Sequence, residues 1–285
     1  MDKKKGFQLQ VGDQIAQGSF STTFLATTEP ELSGNFSEVV KVGLKKHQLK
    51  YAKEKQVLHL VSGHTYFPRL VHAAESKKFT YIVTEYGGED LKTVSERNRF
   101  GITSNRNVLR LAYRLHGAVD FLHSRNFFHR DIKAENVLIE LRNRSIRVKL
   151  SDFGDASDIR EPARRRSSFM KFFLPAALPP YCEAEDHCHT AVMCLKLLKN
   201  LPYIPRRRSV FLASHITEFP FPKLEGDHEW MMLIWLSLCG CYQNKTTEFG
   251  FIETFIDEAS VNFDKRSDID YCTITGKLRL DSPDD

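Results

Sequence analysis

No apolar run in the 285-residue chain approaches the ~20 residues that a membrane-spanning helix requires. No apolar stretch follows the basic start Met1-Asp2-Lys3-Lys4-Lys5, so it does not read as a secretory signal. Cysteine is missing before Cys182. All six cysteines (Cys182, Cys188, Cys194, Cys239, Cys241 and Cys272) come late, which argues against a disulfide framework across the fold and fits a reducing compartment. A cytoplasmic protein is therefore the expectation, with the nucleus as the alternative and no membrane as partner. Internal repeats and long low-complexity segments are also lacking. The formal net charge of +5 is too small to demand nucleic acid. Arg164-Arg165-Arg166 and Arg206-Arg207-Arg208 have no interleaved aromatics and read as solvated loops.

Apolar residues make up 41% of the chain and charged residues 27%, the balance of an ordinary globular protein. Up to about residue 85 the pattern is strand-rich. Phe7 to Phe24 alternates around Gly12 and Gly18 as a hairpin would, and Val39-Val40-Lys41-Val42 is a β-branched run. Lys45 to Val61 reads as a helix, and Tyr81-Ile82-Val83-Thr84 as a short strand ending at Gly87-Gly88, a natural hinge. Beyond the hinge Val108, Leu111, Ala112, Leu115, Val119 and Leu122 fall at helical spacing. Ile146, Val148 and Leu150 alternate as a strand; Ala191 to Leu195 and Trp230 to Leu238 read as helices. From about Arg266 the chain is polar and expected to fray. Two lobes follow, a small β-rich one with one helix and a larger, mainly helical one, with a cleft between them.

The strongest chemical signal is His129-Arg130-Asp131-Ile132-Lys133-Ala134-Glu135-Asn136, placed on a loop between a long helix and the apolar Val137-Leu138-Ile139. Further on, directly after a strand, stands Asp152-Phe153-Gly154. Lys41 lies on a strand, on the face opposite Val40 and Val42. Glu54 shares a helix face with Val57, Leu58 and Val61, so its carboxylate faces inward and needs a cation, for which Lys41 is the candidate.

Together these motifs resemble the catalytic loop and the metal-binding motif of the eukaryotic protein kinase superfamily, serine/threonine type, over about residues 7 to 260. The resemblance implies an α+β, bilobal protein kinase fold with the small lobe at 1–86, the large lobe at 87–265 and a polar tail at 266–285. It implies ATP and Mg²⁺ as cofactors and a protein substrate. Asp131 would orient the substrate hydroxyl and accept its proton, and Lys133 would sit near the transferring phosphate. Lys41, paired with Glu54, would hold the α- and β-phosphates; Asn136 and Asp152 would hold the metal. Ile15, Ala16 and Gly18 match the phosphate-covering loop. Thr84 matches the residue gating the pocket behind the base, and Glu85 and Tyr86 would supply backbone hydrogen bonds to adenine. Asp186 would brace the catalytic loop. Lys133, two residues after Asp131, resembles the serine/threonine enzymes.

The chain departs from the family in three places. The phosphate-covering loop reads Ala16-Gln17-Gly18-Ser19-Phe20-Ser21 and keeps one glycine of three; Cβ atoms at 16 and 21 limit positive φ, so weaker or slower nucleotide handling is expected. The activation segment closes on Leu174-Pro175-Ala176 where the family has Ala-Pro-Glu. Asp186-His187-Cys188-His189 stands where the family has Asp-x-Trp-Ser. The neighbouring Cys182, His187, Cys188, His189 and Cys194 suggest zinc, but their spacing fits no common zinc module and core packing is the better reading. Ser168, then Ser167, follows a basic stretch and is the candidate for regulatory phosphorylation. The alternative function is a nucleotide-binding pseudokinase acting as a scaffold or allosteric partner.

Overall fold

The computed structural model describes residues 7–29, 36–161, 181–198, 228–244 and 246–280. They form an α+β structure of two compact units. One comprises the residues up to Gly87 together with Asp152–Asp155; the other comprises Gly88–Ser151 and the residues from Ala156 on.

The first unit is built on strands β1 (Gln10–Gln17), β2 (Ser21–Thr27), β3 (Glu38–Leu44), β4 (Leu70–Glu75) and β5 (Phe79–Glu85), with helix α1 (Gln48–Val61) between β3 and β4. Their order in the antiparallel sheet is β1-β2-β3-β5-β4. The β-branched β3 is central, where such side chains pack best. Val40 and Val42 lie on its packed face with Ala26, Val83 and Phe24, while Lys41 points to the other face. The register of β1 on β2 slips between Gln14 and Ala16, a bulge at Ile15. Lys45–His47, expected as the first turn of the helix, forms a 3₁₀ turn that leads into α1. Tyr51, Glu54, Val57, Leu58 and Val61 are the buried face of α1, the i, i+3, i+7 spacing of one helical stripe.

The second unit contains β6 (Glu89–Asp90), α2 (Leu91–Glu96), α3 (Asn105–Ser124), β7 (Phe127–Phe128), β8 (Val137–Arg142), β9 (Ser145–Leu150), β10 (Ser157–Asp158), α4 (Glu183–Leu197), α5 (Glu229–Asn244), α6 (Gly250–Ala259), β11 (Cys272–Ile274) and β12 (Lys277–Arg279). Asp90 caps α2 by accepting from the Thr93 N–H at 2.9 Å, and Ser104 caps α3 through the Asn107 N–H at 3.3 Å. The six apolar positions of α3 at helical spacing are all buried, and α3 packs on α4, which packs on α5. Gly88 must be glycine: at φ +93°, an added Cβ would lie 2.0 Å from the Ile139 carbonyl oxygen on β8. Among the described residues no helix is long and apolar enough to cross a membrane.

The polar stretch from Arg266 is not frayed over its described part. β11 and β12 form a hairpin turned by Thr275 and Gly276, both at positive φ. Leu278 and Leu280 are buried. Asn107, fully buried on α3, donates to the carbonyls of Asp270 and Leu280 at 2.9 and 3.1 Å and accepts from the Asp270 N–H at 2.9 Å. Asn98 accepts from the Leu280 N–H at 2.9 Å. Two buried asparagines thus dock a segment expected to fray.

Candidate active site

In the first unit three charged side chains meet. The Lys41 ammonium donates to both Glu54 oxygens at 2.9 and 2.8 Å and to Asp152 Oδ1 at 2.8 Å. The Glu54 side chain is 10% exposed and that of Asp152 44%. Burial by itself lowers the Lys41 amine, but the two carboxylates outweigh it and hold the amine above its ordinary range, as an ammonium. Burial pushes the Glu54 carboxyl up, opposed by the Lys41 charge. A carboxylate with two charge-assisted bonds to one ammonium is the arrangement expected of a buried ion pair rather than of two neutral groups.

In the second unit the loop from His129 to Asn136 holds Asp131. Lys133 Nζ lies 2.6 Å from Asp131 Oδ2, and Asn136 Nδ2 donates to the same oxygen at 3.0 Å and to the Asp131 carbonyl at 2.7 Å. Asn136 is anchored in turn: its carbonyl accepts from the Ser151 N–H and hydroxyl at 2.8 and 3.0 Å. Both donors converge on Oδ2 of Asp131, whose side chain is 36% exposed, which orients the carboxylate while leaving it accessible.

This loop is strained and held from beneath. Arg130 has φ +71°, a left-handed conformation costly for a residue with a Cβ and a long side chain. Asp186, fully buried on α4, accepts from the His129 and Arg130 N–H groups at 2.8 and 2.9 Å, from Tyr181 Oη–H at 2.5 Å and from His123 Nε2 at 2.9 Å. Burial would raise the Asp186 carboxyl, but the hydrogen bond and charge of His123, with His129 and Tyr181, hold it well below the usual carboxylate range. Asp152 also lies at positive φ, +65°, while Gly154 does not. The left-handed turn of this motif is therefore made at Asp152, two residues before the glycine. Of the two side chains that complete the Asp186 cluster, His123 comes from 63 positions away and only the fold brings it there, whereas Tyr181 is a local partner five positions before Asp186.

Other expectations fare differently. Ala16 and Ser21 are paired strand residues, and no residue from Ala16 to Ser21 has positive φ. The turn is closed by the Gly18 N–H donating to the Ser21 carbonyl at 2.8 Å, so it forms without the glycines it lacks. Ile15 is 47% exposed at the bulge in β1. Thr84 stands on β5 between Val39 and Leu70. The Glu85 and Tyr86 N–H groups are already taken, by the carbonyls of Arg69 and Ser37 at 3.0 and 2.9 Å. Those two N–H groups are therefore not donors for a base. Ser167, Ser168 and Leu174-Pro175-Ala176 lie outside the described residues. His187 packs in the core, its Nδ1 2.9 Å from His116 Nδ1 and its ring 4.6 Å from that of Phe249. No metal-holding group of three His, Cys, Asp or Glu occurs among the described residues.

Donor chemistry at the two expected metal ligands suits Mg²⁺. Asp152 offers a carboxylate; Asn136, with its Nδ2 committed to Asp131, offers its amide oxygen.

The family model for "Protein kinase domain" matches residues 9–217. Over 243 residues the chain is 26% identical to 3-phosphoinositide-dependent protein kinase 1 of Mus musculus, covering 78% of this chain and 42% of that protein. It is 27% identical over 228 residues to Aurora/IPL1-related protein kinase 2 of Caenorhabditis elegans, covering 75% and 71%. A probable serine/threonine-protein kinase 2 of Plasmodium falciparum is 34% identical over 155 residues, covering 53% and 29%. The chain thus spans less than half the length of the mouse and Plasmodium proteins.

Proposed function

The chain belongs to the protein kinase family, and from that premise we propose that it transfers the γ-phosphate of ATP, as its Mg²⁺ complex, to serine or threonine hydroxyls of protein substrates. The observation that carries this reading is the presentation of Asp131, gripped on one oxygen by Lys133 and Asn136 on a loop that buried Asp186 holds from beneath. The substrate hydroxyl oxygen bonds to the γ-phosphorus as the bond to the bridging oxygen breaks. Its proton passes to Asp131 and ADP leaves. Lys133 offsets charge on the transferring group, and the pattern Asp131-x-Lys133 favours serine and threonine over tyrosine. Lys41, fixed by Glu54, is assigned to the α- and β-phosphates, with Ile15, Ala16 and Gly18 over them and Thr84 beside the base. Asn136 and Asp152 would hold Mg²⁺, which when bound neutralises phosphate charge.

The test is transfer of labelled γ-phosphate from Mg-ATP to a generic protein and to the chain itself, with Asp152→Asn as control. Labelled phosphoserine or phosphothreonine that vanishes in the control is expected. No transfer, while Mg-ATP still raises the melting temperature, would replace this reading with that of a nucleotide-binding pseudokinase.

A further inference from the structure

Asp152–Asp155 belong to the first compact unit although the strand before them belongs to the second. Each of the four residues has its own attachment there. Asp152 bonds Lys41. Phe153, fully buried, packs with its ring centroid 6.0 Å from that of Phe67. Gly154 is covered by the stem of Lys50, whose Cβ and Cδ lie 3.8 and 3.9 Å from where a Cβ on Gly154 would be. Asp155 receives the Lys50 ammonium on both oxygens at 2.8 and 2.9 Å.

The same ammonium sits 3.8 Å from the centroid of Phe20, at the tip of the β1–β2 turn. His47 meets that ring edge-on, at 5.0 Å between centroids. Phe20 is 44% exposed, so these polar contacts do much to hold it. Lys50 therefore touches the β1–β2 turn and the segment after Asp152 from a position on α1. It lies one helical turn before Glu54, on the same side of the helix.

An isolated surface ion pair contributes little to stability, and Lys50 and Asp155 are 31% and 54% exposed. The convergence of three segments on one side chain is what separates this pair from that default. Its expected consequence is geometric: with Lys50 engaged, α1 stays against residues 152–155 and Glu54 keeps facing Lys41. The turn, lacking two glycines, is pinned at its tip instead.

We propose that Lys50 is a positioning residue for the nucleotide, a clasp that holds α1, Gly154-Asp155 and the Phe20 turn together so that Lys41, Glu54 and Asp152 stay assembled. The proposal rests on the kinase reading for its link to nucleotide, while the clasp itself rests on contacts within one unit.

The test uses the full chain with Lys50→Met, which keeps the stem and removes the charge, together with Lys50→Arg and Asp155→Asn. The first readout is hydrogen exchange without nucleotide. The expected result is faster exchange at residues 152–155 and in the first half of α1 for Lys50→Met and Asp155→Asn, restored by Lys50→Arg. The second is steady-state kinetics, where KM for Mg-ATP is expected to rise roughly three- to tenfold in Lys50→Met with kcat little changed. Unchanged exchange together with unchanged KM overturns the proposal. If the wild-type chain transfers no phosphate, the kinase reading fails, and the exchange comparison still decides whether the clasp exists.

Discussion

Asp186 shows how one buried charge can organise a loop. Four donors converge on it, and two are backbone amides of a segment that includes the left-handed Arg130. The strain at Arg130 persists because the surroundings over-determine it. Removing the charge while keeping the shape tests this directly. Asp186→Asn weakens the acceptor and turns an amide N–H₂ toward groups that are themselves donors. It is expected to lower stability by about 2–4 kcal/mol, the scale of charge-assisted hydrogen bonds lost in the interior, read as a lower denaturant midpoint at unchanged slope. Phosphate transfer is expected to fall by more than the change in folded population explains, because the loop carrying Asp131 loses its seat.

At the scale of elements, the β11–β12 hairpin and the β1–β2 hairpin make contrasting cases. The first is polar in sequence yet docked: Arg97 donates to the Leu278 carbonyl at 3.2 Å, and Asn98 and Asn107 bond the backbone on both sides of the hairpin. Deleting the residues after Arg266 would expose the buried sites of Leu278 and Leu280 and strand two buried amides. A fall in melting temperature of at least about 5 °C is expected, several kcal/mol at the scaling of a large domain. A truncated chain that melts like the full one would show the hairpin to be a passive appendage. The second hairpin looks deficient in sequence for want of glycine, yet every residue from Ala16 to Ser21 lies outside the left-handed region. Its missing glycines therefore remove flexibility and leave the conformation attainable.

At the scale of the whole molecule, acid is the sensitive direction. Burial lowers the titration of His116, His187 and His189, the last to about 4. His116 and His187 face each other, with Asp120 Oδ1 3.2 Å from His187 Nε2 and the His123 ring 5.4 Å from that of His187. These histidines fold neutral, whereas the unfolded chain takes up protons below pH ~6.5. The unfolded state then binds more protons, so stability is full above that pH and falls as pH drops toward the folded values. His189 alone should cost about 1–2 kcal/mol at pH 5. Asp186 has a depressed folded value, so its contribution is full above the ordinary carboxylate range and is lost only below pH ~4. Melting temperature is therefore expected to decline between pH 7 and 5, with a shallower slope in His189→Gln. A flat profile over that range would contradict the burial of these rings.

The sequence by itself determined whatever depends on local spacing. The run His129 to Asn136 and the Asp152-Phe153-Gly154 motif announced the chemistry. The alternation of Val40, Lys41 and Val42 and the stripe of Glu54, Val57, Leu58 and Val61 set which way the ion-pair partners point, since side-chain direction follows the period of strand and helix. Tertiary structure alone decided which distant groups complete them. Asp152 reaches Lys41 across 111 positions, and His123 reaches Asp186 across 63. The tail docks because two buried asparagines match its backbone, and Lys50 finds Phe20 and Asp155 because three segments pass one point. Periodicity encodes the face a residue presents, but what that face meets is set by which surfaces the fold buries together.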